Sequence, residues 1–205
     1  MPIAQAWPAI FAGVVVSTLF NADFPRALAG QLAVADAHLS ALKSADPPEG
    51  FAQLCADHPW ACRSDQVGRQ QQSEATRHAT ARNINSAVNR SMRPVSDSTQ
   101  YGMEEFWTVP VSGKGDCEDY SIMKKLQLIK SGVQGSDLLL AQVFTSRLEP
   151  HVVLVLRSES GDYVLDNLET SIRHWKQTGY TFVKMQRPED KAAWDVILLG
   201  PHARR

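Results

Sequence analysis

The first half of the chain carries apolar residues at helical spacing. Between about residues 66 and 93 the sequence is polar and favours helix, and its apolar positions fall mostly three to five residues apart. Those positions are Val67, Ala75, Ala79, Ile84, Val88 and Met92. This pattern predicts a long amphipathic helix, which Arg93-Pro94 ends because proline disfavours helical geometry at the preceding residue. A short helix is also predicted over residues 51–58.

Residues 94–115 contain Pro, Gly, Ser and Asp at short intervals, which predicts a long ordered loop. Its larger apolar residues are expected to pin the loop to the body of the protein, and these are Tyr101, Met103, Phe106 and Trp107. Residues 116–130 return to a helical pattern. Gly132 is placed to end this second long helix as a left-handed cap.

Beyond residue 132 the pattern changes to sequence typical of β-strands. The runs with this character are Leu138–Thr145, His151–Arg157, Tyr163–Asp166, Thr181–Met185 and Asp195–Leu199. Glu159-Ser160-Gly161 is a turn signal between the second and third runs and predicts a hairpin there. Because the helices precede the strands, the sequence predicts an α+β fold with an antiparallel sheet.

The N-terminus has most features of an export signal. Residues 9–20 are an uncharged apolar run, which is shorter than the roughly 20 residues of a bilayer span. Ala27-Leu28-Ala29 is a small-x-small cleavage pattern, although no Lys or Arg precedes the run. We therefore expect a signal peptide over residues 1–29 and a periplasmic or secreted protein. A buried N-terminal helix and an uncleaved membrane anchor are the alternatives.

Composition bounds the rest of the chain. With 205 residues, of which 43% are hydrophobic, we expect one ordinary domain over residues 51–200. Residues 30–50 are rich in alanine and then in proline, and we expect them to form a flexible lead-in. The balance of 21 basic and 22 acidic residues argues against a nucleic-acid partner and against a polybasic membrane-surface protein.

The three cysteines fit an exported protein. Cys55 and Cys62 lie seven residues apart around Pro59. An exported protein can hold such a pair as a disulfide, and two buried thiols are the alternative. Cys117 is then left over, and an unpaired cysteine in an exported protein is either reactive or buried.

Cys117 lies where a helix is expected to begin. In the stretch Gly113-Lys114-Gly115-Asp116-Cys117-Glu118-Asp119-Tyr120, Asp116 can be the N-cap and Asp119 has the spacing of a capping box. The positive end of the helix dipole favours a thiolate at Cys117, whereas the adjacent carboxylates oppose it unless a cation neutralises them. Two capping aspartates around a small apolar cysteine are the alternative interpretation.

The predicted hairpin supplies partners for this cysteine. If the turn centres on Glu159-Ser160, Val153 faces Asp166. His151 is then diagonal to Asp166 on the same sheet face, roughly 7–8 Å away between backbones. An aspartate in that position can fix the tautomer of a histidine and stabilise its imidazolium. No zinc-binding spacing, phosphate loop or serine-hydrolase elbow competes with this arrangement.

These motifs resemble those of the bacterial transglutaminase-like cysteine peptidases, especially their smaller exported members that stand alone. The matching stretches are Gly113–Lys124, Leu138–Val143, His151–Leu154, Val164–Leu168, residues 51–63, residues 101–110 and Tyr180–Gln186. The resemblance implies a papain/transglutaminase-like α+β fold with the cysteine helix packed on the antiparallel sheet. It also implies Cys117 as nucleophile, His151 as general base and acid, and Asp166 as the orienting carboxylate.

The resemblance further implies a calcium site at Asp116 and Glu118, with a contribution from Asp119. We therefore expect an exported cysteine endopeptidase that acts on a protein substrate, for which a surface adhesin is one candidate. Acyl transfer of the transglutaminase or amidase type at the same site, and a catalytically inactive binding module, are the alternatives. No organic cofactor is expected, and the sequence gives no sign of a regulatory partner at the inner membrane or of an oligomeric state.

Overall fold

The computed structural model describes residues 37–63 and 72–203. The expected signal peptide over residues 1–29 and the first residues of the predicted long helix lie outside these ranges. Within them, no helix combines the length and the hydrophobicity that a bilayer span requires.

The described ranges contain four α-helices: α1 (Phe51–Asp57), α2 (Glu74–Ser91), α3 (Asp97–Gln100) and α4 (Cys117–Lys130). The side chain of Ser73 accepts a hydrogen bond from the main-chain amide of Thr76, which caps the start of α2. This helix ends just before Arg93-Pro94, as predicted. Asp116 is the N-cap residue of α4, and Gly132 follows its end with a φ of 91°.

The strands are β1 (Lys43–Ala45), β2 (Arg93–Pro94), β3 (Lys114–Gly115), β4 (Leu138–Phe144), β5 (Pro150–Ser158), β6 (Gly161–Leu165), β7 (Arg173–His174), β8 (Thr181–Gln186) and β9 (Trp194–Leu199). Seven of them form one antiparallel sheet in the order β1-β9-β8-β4-β5-β6-β7. The predicted α+β class with an antiparallel sheet is confirmed, and β1 and β7 extend the sheet beyond the predicted strands.

Strand β5 lies at the centre of two hydrophobic clusters. Leu154 and its neighbours on one face pack with α2 and α4. Val153 and Val155 face the opposite side and pack with Phe182 and Trp175. Because both faces of β5 are buried, its side chains contribute roughly 1.5–3 kcal/mol each to the hydrophobic term, and the strand is held rigidly beneath α4.

A hydroxyl group sets α4 against β5. The Ser121 Oγ lies 2.9 Å from the carbonyl oxygen of Cys117 and 3.3 Å from the carbonyl oxygen of Val152. This contact joins the first turn of the helix to the start of the strand. This contact places Cys117 near His151 at the same end of β5.

The sequence analysis placed the start of the domain at residue 51, but the fold begins earlier in the chain. Strand β1 pairs with β9, and the fully buried Asp162 carboxylate binds the segment ahead of β1. It accepts hydrogen bonds from His38 Nδ1 at 3.0 Å and the Leu39 amide at 2.8 Å. Arg157 binds the same carboxylate through two nitrogens. These contacts join distant parts of the chain, so a local pattern does not reveal them.

Cys55 and Cys62 form a disulfide, as the export interpretation favoured. The turn that it closes is tied to the core through the carbonyl oxygen of Ala61. That oxygen accepts a hydrogen bond from the fully buried Lys125 ammonium at 2.9 Å, which also binds Gln186 Oε1 at 2.7 Å.

Residues 94–115 contain less irregular structure than predicted. The segment includes α3 and residues of the parallel pair β2–β3. Trp107 is buried against Phe51 and Trp194, as expected of an anchor. Tyr101 and Met103 are instead 38% and 49% exposed, so the expectation that they pin the loop is wrong.

The Asp162 cluster yields a stability prediction. We expect Asp162→Asn to lower the free energy of unfolding by about 3 kcal/mol, because it leaves the Arg157 guanidinium without its carboxylate in a largely buried site. Hydrogen exchange in residues 37–45 should accelerate at the same time. Urea unfolding checks the first effect, and the exposed Glu104→Gln is the control with the same charge change. Equal stability of the two variants would contradict the account.

Candidate active site

Cys117 is the first residue of α4, directly after a crowded backbone approach. A side chain at Gly115 would collide with the carboxylate of Asp119, so glycine is required there. The N-cap residue Asp116 makes no side-chain capping bond. Its Oδ2 instead accepts a hydrogen bond from the main-chain amide of Asp97 at 3.1 Å. The predicted capping role of this side chain is therefore wrong, because Asp97 offers it a donor from outside the helix.

The hairpin of β5 and β6 has the predicted register. Leu154 pairs with Leu165, and Val155 pairs with Val164. Beyond the last pair, His151 Nε2 and Asp166 Oδ1 lie 2.8 Å apart, and both side chains are buried. The diagonal arrangement expected from the sequence thus brings the two side chains into direct contact.

Cys117 and His151 line one cavity of about 220 Å³. Its other walls come from the loop before α4, from β4, from the start of β5 and from β8: Glu105, Glu118, Gln142, Val143, Phe144, Pro150, Val152 and Val183. Most of these walls are apolar, and Glu105 adds an exposed carboxylate.

The surroundings of Cys117 disfavour its thiolate. Burial raises the pKa of the Cys117 thiol well above its usual range, and the Glu118 charge raises it further. The sulfur lies 3.2 Å from Glu118 Oε2. The main-chain amide of Val152 acts in the opposite direction.

Asp166 is held as a carboxylate. Burial alone would raise its pKa, but hydrogen bonds from His151 and Tyr180 and the charge of His151 outweigh burial, and the pKa is lowered. The Tyr180 hydroxyl donates to Oδ2 at 2.7 Å, and the Leu168 amide donates to Oδ1 at 3.0 Å. An ionised Asp166 suits an orienting role toward His151.

Three carboxylates gather beside the cavity. Oxygen atoms of Asp97, Asp116 and Glu118 lie within 4.8 Å of one another. The sequence analysis proposed Asp116 and Glu118 but missed Asp97. No local signal marks Asp97: it comes close because the pairing of β2 with β3 lays the chain after residue 95 beside residue 116.

The carboxylate cluster has the character of a cation site. Among the described residues, Asp97 Oδ1, Asp116 Oδ1 and Asp119 Oδ2 are buried without a hydrogen-bond partner. Burial and the charge of Asp116 raise the pKa of Glu118 to about 9, and burial raises that of Asp119 to about 8. Oxygen donors that are buried, unpaired and mutually repelling fit a hard divalent cation.

A cysteine at a helix N-terminus, packed against an antiparallel sheet that carries a bonded His–Asp pair, defines a papain/transglutaminase-like thiol hydrolase fold. The model of the bacterial transglutaminase-like cysteine proteinases, BTLCP, matches residues 41–200. The chain belongs to this family and is a cysteine peptidase. A comparison with curated proteins gives no match.

Solved structures similar to this chain include those of LapG from Legionella pneumophila. One aligns with 23% identity and a TM-score of 0.51, over 64% of this chain and 72% of LapG. Calcium-bound LapG aligns with 20% identity and a TM-score of 0.51, over 78% and 86%. EGTA-treated LapG aligns with 24% identity and a TM-score of 0.47, over 56% and 64%. The two alignments with a TM-score of 0.51 support the fold.

Proposed function

We propose that this protein is a thiol endopeptidase in which Cys117 is the nucleophile, His151 the general base and acid, and Asp166 the orienting carboxylate. One observation carries the proposal: Cys117 and His151 line the same cavity, while Asp166 binds His151 at 2.8 Å. Asp166 is hydrogen-bonded to Nε2 of the His151 imidazole. Nδ1 is therefore the ring nitrogen available to the sulfur.

The reaction then has two stages. Nδ1 of His151 takes the thiol proton, the sulfur of Cys117 bonds to the peptide carbonyl carbon, and the C–N bond breaks as His151 returns the proton to the leaving amine. Water next attacks the thioester while His151 accepts a proton from it. The C–S bond breaks, the sulfur recovers its proton, and a free carboxylic acid leaves. Main-chain amides at the start of α4 are available to bind the oxyanion.

The proposed substrate is a protein outside the cytoplasm, with a surface adhesin as the first candidate. The disulfide between Cys55 and Cys62 supports this location, because disulfides persist in oxidising compartments. Export through a signal peptide over residues 1–29 belongs to the same proposal.

Calcium binding is also part of the proposal. Asp97, Asp116 and Glu118 would hold the ion, and Asp119 lies next to them in sequence with an unpaired buried oxygen. When bound, the ion supplies positive charge that offsets the carboxylates around the thiol. Water or other ligands must complete its shell, because calcium takes about six to eight oxygen ligands.

The catalytic assignment predicts the behaviour of three variants. Purified protein incubated with a peptide library should generate new termini that mass spectrometry detects. Cys117→Ala should reduce their rate of formation at least about 10⁴-fold, and Asp166→Asn about 100-fold or more, because each removes one member of the relay. His151→Ala should resemble Cys117→Ala.

The matched control is His78→Ala, since His78 is also largely buried and binds Ser158 Oγ but lies outside the cavity. It should keep the wild-type rate. Full activity of Cys117→Ala, or a wild type that generates no new termini, would contradict the proposal. Products that end in methylamides when methylamine is added would instead favour acyl transfer.

The calcium assignment predicts a stability effect that does not depend on activity. Calcium at about 100 times its dissociation constant should raise the free energy of unfolding by about 2.7 kcal/mol. Asp97→Asn should remove most of this gain, and the exposed Asp190→Asn should keep it. Thermal unfolding with calcium and with EGTA measures both. A wild type that does not respond to calcium, or an unchanged response in Asp97→Asn, would contradict the assignment.

A further inference from the structure

The Asp166 carboxylate has two ends, and different groups hold them. Oδ1 binds His151 Nε2 at 2.8 Å and the Leu168 amide at 3.0 Å. Oδ2 accepts a hydrogen bond of 2.7 Å from the Tyr180 hydroxyl. A carboxylate bound at one oxygen alone can rotate about its Cβ–Cγ bond, and a buried donor on the other oxygen stops that rotation.

Tyr180 is itself firmly placed. It lies directly before β8, is 8% exposed, and packs in the hydrophobic cluster beneath the sheet. Its main-chain amide donates to Thr178 Oγ1 at 3.1 Å. Its ring meets the imidazole of His151 edge to face, with centroids 6.1 Å apart at an angle of 83°. One aromatic side chain therefore touches both members of the His–Asp pair.

Charged groups on α4 and on the segment from Glu169 to Arg173 act on this pair and on Tyr180. His151 belongs to β5. Lys124 of α4 is fully buried and interacts electrostatically with Asp166. Glu169 and Arg173 act on Tyr180 from the other side and form an ion pair with each other at 2.9 Å. The Tyr180 hydroxyl is the side-chain donor that reaches Oδ2 in this setting.

We propose that Tyr180 is a positioning residue of this active site, which holds the Asp166 carboxylate in place against His151. The inference rests on the proposed function, because it extends the relay of Cys117, His151 and Asp166 by one group. Two fixed oxygens on Asp166 hold the imidazole of His151 in one orientation.

The direction of the pKa shifts agrees with this role. The hydrogen bond from Tyr180 contributes to lowering the pKa of Asp166. In return, burial and the bond to Asp166 raise the pKa of Tyr180 above its usual value. Loss of the hydroxyl must therefore raise the pKa of Asp166, and protonation of Asp166 would then begin at a higher pH.

Tyr180→Phe isolates the hydroxyl, because the ring and its packing stay. We expect kcat to fall about 10- to 50-fold while KM stays within about twofold. The acid limb of the kcat/KM profile should move to higher pH by roughly one unit. Tyr163→Phe is the matched control, since its hydroxyl meets Ser160 Oγ at 3.1 Å away from Asp166. It should keep the wild-type profile.

A second measurement separates this inference from the proposed function. Carbon-13 NMR of the Asp166 carboxyl in a Cys117→Ala background follows its titration without any activity. Tyr180→Phe in that background should raise the pKa of Asp166, and Tyr163→Phe should not. An unchanged titration, or a Tyr180→Phe variant that loses stability and activity without a shift in its pH profile, would overturn the inference. A wild type without peptidase activity would defeat the proposed function alone.

Discussion

The hydrogen bond between His151 and Asp166 is the interaction on which the proposed site depends, and it depends in turn on the register of one hairpin. A slip of one residue between β5 and β6 would carry Asp166 to the opposite face of the sheet. Strong burial prevents such a slip, because Leu154 and Leu165 pair inside the core. Packing on both faces of β5 thus determines whether His151 and Asp166 lie close enough to form their hydrogen bond.

A second constraint is electrostatic. The helix dipole and the Val152 amide favour a thiolate at Cys117, while burial and the carboxylates around it oppose one. Asp97, Asp116 and Glu118 repel one another as well, so the acidic cluster is costly to bury when its members are ionised. A bound cation would relieve both problems at once. The same residues would then couple folding of the loop before α4 to the reactivity of the sulfur.

Local pattern accounts for the parts of this site that the sequence predicts. The start of α4 at Cys117 follows from the glycines before it and from Asp116 at the N-cap position, although the Asp116 side chain does not cap the helix. The proximity of His151 to Asp166 follows from turn position and alternation. Asp97 and Tyr180 are different. Each reaches the site through contacts between distant segments, the pairing of β2 with β3 in one case and of β8 with β4 in the other. The pairing of β1 with β9 escaped prediction for the same reason.

The most direct measurement of the central claim is the rate at which iodoacetamide alkylates Cys117 at neutral pH with calcium present. The other two cysteines are bound in a disulfide, so intact-protein mass reports this thiol alone. If His151 is the general base for Cys117, the wild type reacts at least about tenfold faster than His151→Ala, because the imidazole takes the thiol proton. Equal rates in the two proteins would contradict the account.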